Sequence, residues 1–211
     1  HVLDGEKSLG EIIVEGPFGV KLVPGASGIQ HMASLNEQQT ASIISAFSEL
    51  ESDIDYLIVD MAAGLSDSVM TFLCACQRRY IVLKNEPSSI ADAYATIKVM
   101  LQDYNLDNIW LIPNAVTSQP DGIRLSKNIN TVVKNFLGGQ VNYLHSITSD
   151  EMVLRATKSS KCLLDFAPSS NATRDFKELA KIIDSQGPDI GISGGLQFFL
   201  ERIVADQVKV G

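Results

Sequence analysis

Tyr56-Leu57-Ile58-Val59-Asp60-Met61-Ala62-Ala63-Gly64 is the stretch that decides the fold class. Four apolar residues run in succession, where a half-exposed strand would alternate between core and water. The run predicts a strand covered on both faces, as in a parallel sheet between helix layers. It ends in an acid followed by small residues and a glycine. At the carboxyl end of a parallel strand, such an aspartate faces the crevice where ligands bind in α/β folds. Two roles are open to it there: helping to hold a hydrated Mg²⁺, or simply capping the turn.

Outward from this segment, other short β-branched runs alternate with helix-like stretches. Strands are expected at Gly19–Val23, Tyr56–Asp60, Tyr80–Lys84, Ile109–Pro113 and Val141–Leu144. Helices are expected at Asn36–Glu51, Ser66–Gln77, Ser88–Tyr104, Asp121–Leu137, Asp150–Lys158 and Ser170–Asp184. Ser88 or Ser89 would cap the third of these, and Gly138-Gly139 would stop the fourth. This alternation predicts an α/β fold with a mostly parallel sheet flanked by helices. Gln186-Gly187-Pro188 marks a turn. A glycine-rich hinge, Ser193-Gly194-Gly195, then precedes a last expected helix, Leu196–Val204.

Bulk properties narrow the partners. The 211 residues carry a net charge of −8, which argues against direct nucleic-acid binding and against simple attraction to anionic lipid. Cys74, Cys76 and Cys162 form no disulfide framework and read as reduced thiols of a cytoplasmic protein. A zinc site would need a second cysteine pair or spaced histidines, and His1, His31 and His145 show no ligand spacing. No stretch is long and apolar enough to span a membrane, and no signal peptide is visible.

Three further segments offer chemistry. Asn85-Glu86-Pro87-Ser88-Ser89-Ile90-Ala91-Asp92-Ala93-Tyr94 reads as a strand end, a proline turn and a helix start. Ile109-Trp110-Leu111-Ile112-Pro113-Asn114 ends a strand in an asparagine. Its amide can serve a purine edge as donor and acceptor, or it can be an ordinary turn residue. Ser146-Ile147-Thr148-Ser149-Asp150-Glu151 could cover a base, or cap the next helix through Ser149 or Asp150.

The order of these segments resembles that of the MinD/ParA-type P-loop ATPases, and within them the flagellar-number regulators of the FlhG/FleN type. The matching text runs from Leu9-Gly10-Glu11-Ile12-Ile13-Val14-Glu15-Gly16-Pro17 through Gly19–Pro24, Ser27–Gln30 and Asp60–Gly64. It continues through Glu86–Ala95 and Asn114 to Gly195-Leu196-Gln197-Phe198-Phe199-Leu200-Glu201-Arg202. The resemblance implies that Asp60 serves Mg²⁺ and the attacking water, and that Gly64 lies near the γ-phosphate. It also implies that Asn114 contacts adenine and that Ser149 and Asp150 belong to the loop against the base. ATP and Mg²⁺ are the implied cofactors, and a homodimer the implied assembly.

The chain departs from that pattern. No G-x-x-x-x-G-K-S/T occurs in it, so the resemblance implies that the phosphate loop lies before position 1, in an N-terminally truncated domain. The family's central first strand would be missing too, leaving unpaired strand edges and a tendency to associate. Met61 stands where threonine is usual, Asn85 where aspartate is usual and Leu154 where arginine is common. The expected organisation is a partial nucleotide-binding domain over residues 1–186, then a hinge and amphipathic helix over 187–211. Leu196, Phe199, Leu200 and Ile203 share one face of that helix. The resemblance implies peripheral membrane contact for it, whereas the balanced charges of Glu201, Arg202, Asp206 and Lys209 favour docking on protein.

The expected function is that of a portion of a nucleotide-dependent, dimerising regulator of flagellar number or placement. By resemblance its partners are a flagellar transcriptional activator and a signal-recognition-type GTPase. A non-catalytic remnant binding the same regulators is the alternative. A ParA-like DNA-segregation role fits less well with the acidic charge and the Glu-Pro-Ser-Ser block.

Overall fold

The computed structural model describes residues 1–25, 35–50, 54–62, 64–187 and 197–199. It divides into two compact units, one containing His1–Gln77 and the described C-terminal residues, the other Arg78–Asp189.

In the first unit, α1 (Leu9–Ile12) starts at Ser8, whose backbone N–H and hydroxyl both donate to Glu11 Oε2 at 2.8 Å. Next come β1 (Val14–Glu15) and β2 (Lys21–Leu22), an antiparallel pair in register Val14↔Leu22. Two helices follow, α2 (Glu37–Ser48) and α3 (Asp67–Ala75). Asn36 and Gln39 cap α2 reciprocally, and Ser66 caps α3, each satisfying orphan N–H groups of the first turn. The core gathers Leu9, Ile44, Phe47, Leu50, Ala75 and Phe198.

Tyr56–Asp60 corrects the expectation. It pairs with no strand among the described residues, and it is not covered on both faces. Leu57 and Val59 pack on the core cluster, while Tyr56 is exposed and Ile58 is 89% exposed. With no strand pairing among the described residues and core on one side only, the apolar run behaves as a one-sided extended segment. The expected helix over Leu196–Val204 is also corrected where it is described. Phe198 and Phe199 form a turn, and Phe199 has φ 57°, which a right-handed helix cannot contain. Burial of Phe198 against α2 and α3 sets that turn: its N–H donates to the Ala75 carbonyl at 3.2 Å. Leu196, Leu200 and Ile203 lie outside the described residues.

The second unit holds the parallel sheet. β3 (Arg79–Leu83) pairs with β4 (Ile109–Val116) from Arg79↔Ile109 to Leu83↔Pro113. On β4's other pairings, β5 (Asn142–Tyr143) and β6 (Ile147–Thr148) both run parallel to it. The helices are α4 (Pro87–Gln102), α5 (Gln119–Leu137), α6 (Glu151–Lys158), α7 (Leu163–Phe166) and α8 (Asn171–Ser185). Leu83, Ile97, Met100, Ile109, Leu111 and Val133 are almost fully buried. α4 begins at Pro87, not at the expected serine cap. Ser89 is spent elsewhere, its Oγ accepting the Lys84 N–H at 3.0 Å, and proline is well suited to the first helical position. α5 begins before Asp121 because Ser118 is its cap. It ends at Gly138, whose φ of 69° is the left-handed stop.

Among the described residues, no helix is long and apolar enough to cross a membrane.

Candidate nucleotide-binding site

In a parallel sheet the ligand crevice lies beyond the carboxyl ends of the strands. In the second unit that end is the Pro113-Asn114-Ala115 corner of β4. Ala115 adopts φ 54°, a left-handed conformation that costs a non-glycine residue about 1–2 kcal/mol. The β4–β6 register shifts at this point, between Asn114↔Ile147 and Val116↔Thr148. Strain kept in a strand end of this kind is a mark of functional corners. The Ala115 N–H donates to Asn114 Oδ1 at 2.9 Å. That bond orients the half-buried amide. Ser149 N–H donates to the Val116 carbonyl at 2.8 Å, so Asn114 and exposed Ser149 flank the same corner.

Asp150 takes the capping role. Its Oδ1 accepts the Met152 N–H at 2.9 Å and its Oδ2 accepts the Ala172 N–H at 3.1 Å. One carboxylate therefore caps α6 and the first turn of α8 together. These bonds, Met152's first and Ala172's second, hold its pKa below the ordinary aspartate value. With both oxygens engaged it holds the loop in place.

Asp60 and Gly64 belong to the first unit. Asp60 is exposed at the end of the one-sided segment. Gly64 has φ 116°, a conformation that demands glycine whatever lies nearby. It precedes the Ser66 cap of α3, where Ser66 Oγ and Ser68 Oγ lie 3.1 Å apart. No group of three or more His, Cys, Asp or Glu side chains is poised for a metal among the described residues. Asp60 would therefore be a single carboxylate on an ion retaining waters and phosphate oxygens, which is how Mg²⁺ is commonly held. An asparagine amide at Asn114 has the donor and acceptor that a base edge would require. The described residues include no glycine-rich lysine loop for a triphosphate, so no hydrolytic step follows from them.

Beside the corner lies a polar network that sequence reasoning missed. Asp175 on α8 receives Thr148 and Gln119. Tyr143 donates to Gln119 Oε1 at 3.1 Å. Its partners lie 27 and 56 positions from Asp175, so no local motif announces it.

Parallel strands, flanking helices and the kinked strand end define the architectural class, the α/β fold of MinD. Septum site-determining protein MinD of Pyrococcus horikoshii, solved with Mg-ADP, superposes with TM-score 0.67 at 21% identity, covering 88% of this chain and 72% of that one. The cell division ATPase MinD of Pyrococcus furiosus gives the same TM-score at 20% identity, covering 88% of this chain and 74% of that one. No family model matches the chain. Among curated proteins, it is 36% identical over 203 residues to antiactivator FleN of Pseudomonas aeruginosa, covering 96% of this chain and 72% of FleN. It is 30% identical over 208 residues to flagellum site-determining protein YlxH of Helicobacter pylori, covering 97% and 70%. The chain belongs to the MinD/ParA-type P-loop ATPase family, in the branch of flagellar regulators that contains FleN and YlxH.

Proposed function

We propose that this chain supplies the base-recognition part of an adenine-nucleotide-dependent regulator of flagellar number or placement. The observation that carries the reading is the Asn114–Ala115 kink with Ser149 beside it. It presents an oriented amide at the carboxyl end of a parallel strand in a relative of FleN. Asp60 and Gly64 are assigned to Mg²⁺ and the γ-phosphate, and Asn114 and Ser149 to the base. Asp150 supports that loop as a cap. The partners proposed are a second copy, a transcriptional activator of the kind an antiactivator restrains, and a signal-recognition-type GTPase. A place in the cytoplasm, with peripheral membrane contact through the C-terminal segment, belongs to the same proposal.

The 211 residues contain no phosphate-loop motif, and that favours a second reading for the chain on its own: a partner-binding protein without turnover. A phosphate-release assay on the 211-residue chain, with Asp60→Ala as control, separates the two. The expected result is no Asp60-dependent release. Turnover that depends on Asp60 would overturn the non-catalytic reading.

A further inference from the structure

Asp175 projects from the early part of α8 with its side chain only 15% exposed. Its Oδ2 accepts the Thr148 backbone N–H at 2.8 Å and also the Thr148 hydroxyl. Its Oδ1 accepts Gln119 Nε2 at 2.9 Å. The same Gln119 Nε2 donates to the Ser146 carbonyl at 2.8 Å, and Tyr143 Oη lies 3.1 Å from Ser146 Oγ. One carboxylate thus joins the start of α5, the turn before β6 and β6 itself to α8. The packing around this junction is tight: a methyl added at Gly122 would lie 1.9 Å from Ser146 Oγ. His145 Nε2 lies 3.8 Å from Asp175 Oδ1, completing a polar junction directly behind the kinked corner.

The Thr148 N–H, the Thr148 hydroxyl and the Gln119 amide all donate to Asp175. Only a carboxylate presents acceptors on both oxygens. Asparagine, of the same size, would turn an NH₂ group against either Thr148 or Gln119. Such networks rigidify when fully satisfied, and a recognition site needs its supporting shell locked. β6 is only two residues long, so its position rests heavily on what holds it from behind.

We infer that Asp175 is a positioning residue for base recognition. It holds Thr148 and Ser149, and through the β4–β6 pairing the Asn114–Ala115 corner, as a fixed edge for an adenine ring. The inference rests on the nucleotide reading given above. Asp175 itself touches no base; it acts through Thr148.

The test uses the full chain and two readouts. Amide hydrogen exchange follows Thr148 and Ser149 without nucleotide, and chemical-shift titration compares ATP with GTP. For Asp175→Asn, exchange at Thr148 and Ser149 rises at least tenfold while β3 amides are unchanged. The preference for ATP over GTP falls at least fivefold, with GTP affinity altered less than twofold. Asp175→Glu recovers part of both. Thr148→Val, which removes only the hydroxyl arm, shifts both readouts in the same direction by less and decides the matter if Asp175→Asn does not fold. Unchanged exchange at Thr148, or equal losses for ATP and GTP, overturns the positioning role alone. A wild-type chain that binds neither nucleotide, or does not distinguish them, overturns the nucleotide reading and this inference with it.

Discussion

Phe198→Ala tests whether the C-terminal segment belongs to the core of the first unit. Phe198 is 2% exposed. Its ring meets Phe47 edge-on at 5.3 Å and 86°, and stacks on Phe72 at 6.2 Å and 6°. Its backbone is held from both sides: the N–H donates to Ala75 O, and the carbonyl accepts Gln77 Nε2 at 3.1 Å. Truncation loses about 2–3 kcal/mol of apolar transfer, and each ring pairing adds about 0.5–1.5 kcal/mol. Together these reach the roughly 3–5 kcal/mol typical of Phe→Ala in a core. With a urea slope of about 1–3 kcal/mol/M, the midpoint moves down by about 1–5 M. Phe199 is half-buried, and its ring lies farther from Phe47, at 6.3 Å, so Phe199→Ala costs less than Phe198→Ala. Urea denaturation read by far-UV circular dichroism checks the pair, and Phe198→Leu gives an intermediate loss if the alanine variant is too unstable to measure. Equal effects at the two positions, or less than about 1 kcal/mol at Phe198, would refute the docking.

Three other outcomes are expected. Gly122→Ala places a methyl 1.9 Å from Ser146 Oγ and 3.2 Å from Pro113 Cβ, so it destabilises by about 1–3 kcal/mol, visible as a lowered melting temperature. Asp150→Ala removes the cap of α6 and its bond to α8, a loss of about 1–2 kcal/mol. Because the folded pKa of Asp150 is lowered, its ionised carboxylate contributes above the ordinary aspartate pKa of about 4, and the contribution is lost as pH falls through the folded value. Acid titration of Asp150→Asn should therefore show a flatter loss of stability in that window than wild type. Gly64→Ala meets no atom within 4 Å but must adopt φ 116°, so it costs about 1–3 kcal/mol from backbone strain alone. A neutral melting temperature would remove the conformational reason for that glycine.

The helices were legible wherever capping chemistry is local. Ser66 and Ser170 cap α3 and α8 as their positions suggest, and Gly138 stops α5. The parallel sheet of the second unit was legible from its β-branched runs. The environment of Tyr56–Asp60 was not, because an apolar run tells how greasy a segment is and not which neighbours cover it. The candidate site divided in the same way. Asn114 was visible as a strand-end amide, but the left-handed Ala115 that orients it carries no sequence signal, alanine being a poor choice for φ 54°. Asp150 was visible as a possible cap, and its bonds to Met152 and Ala172 show that role. Asp175 reads as one more acid on an amphipathic helix. The loops, α7 and the two-residue strands β1 and β6 are too short for any periodicity to register.

Arg78 opens the second unit, and its guanidinium donates to the carbonyls of Gln186, at 3.3 Å, and of Gly187, just beyond the last helix. The entrance and exit of this stretch are thus fastened to each other by a side chain that also satisfies helix-end carbonyls. A segment whose two ends meet can be treated as a cassette. Its ends can be joined by a short linker and new termini opened in an exposed loop, as circular permutation requires. The same closure makes the stretch Arg78–Gly187 a unit whose ends need no long connection between them.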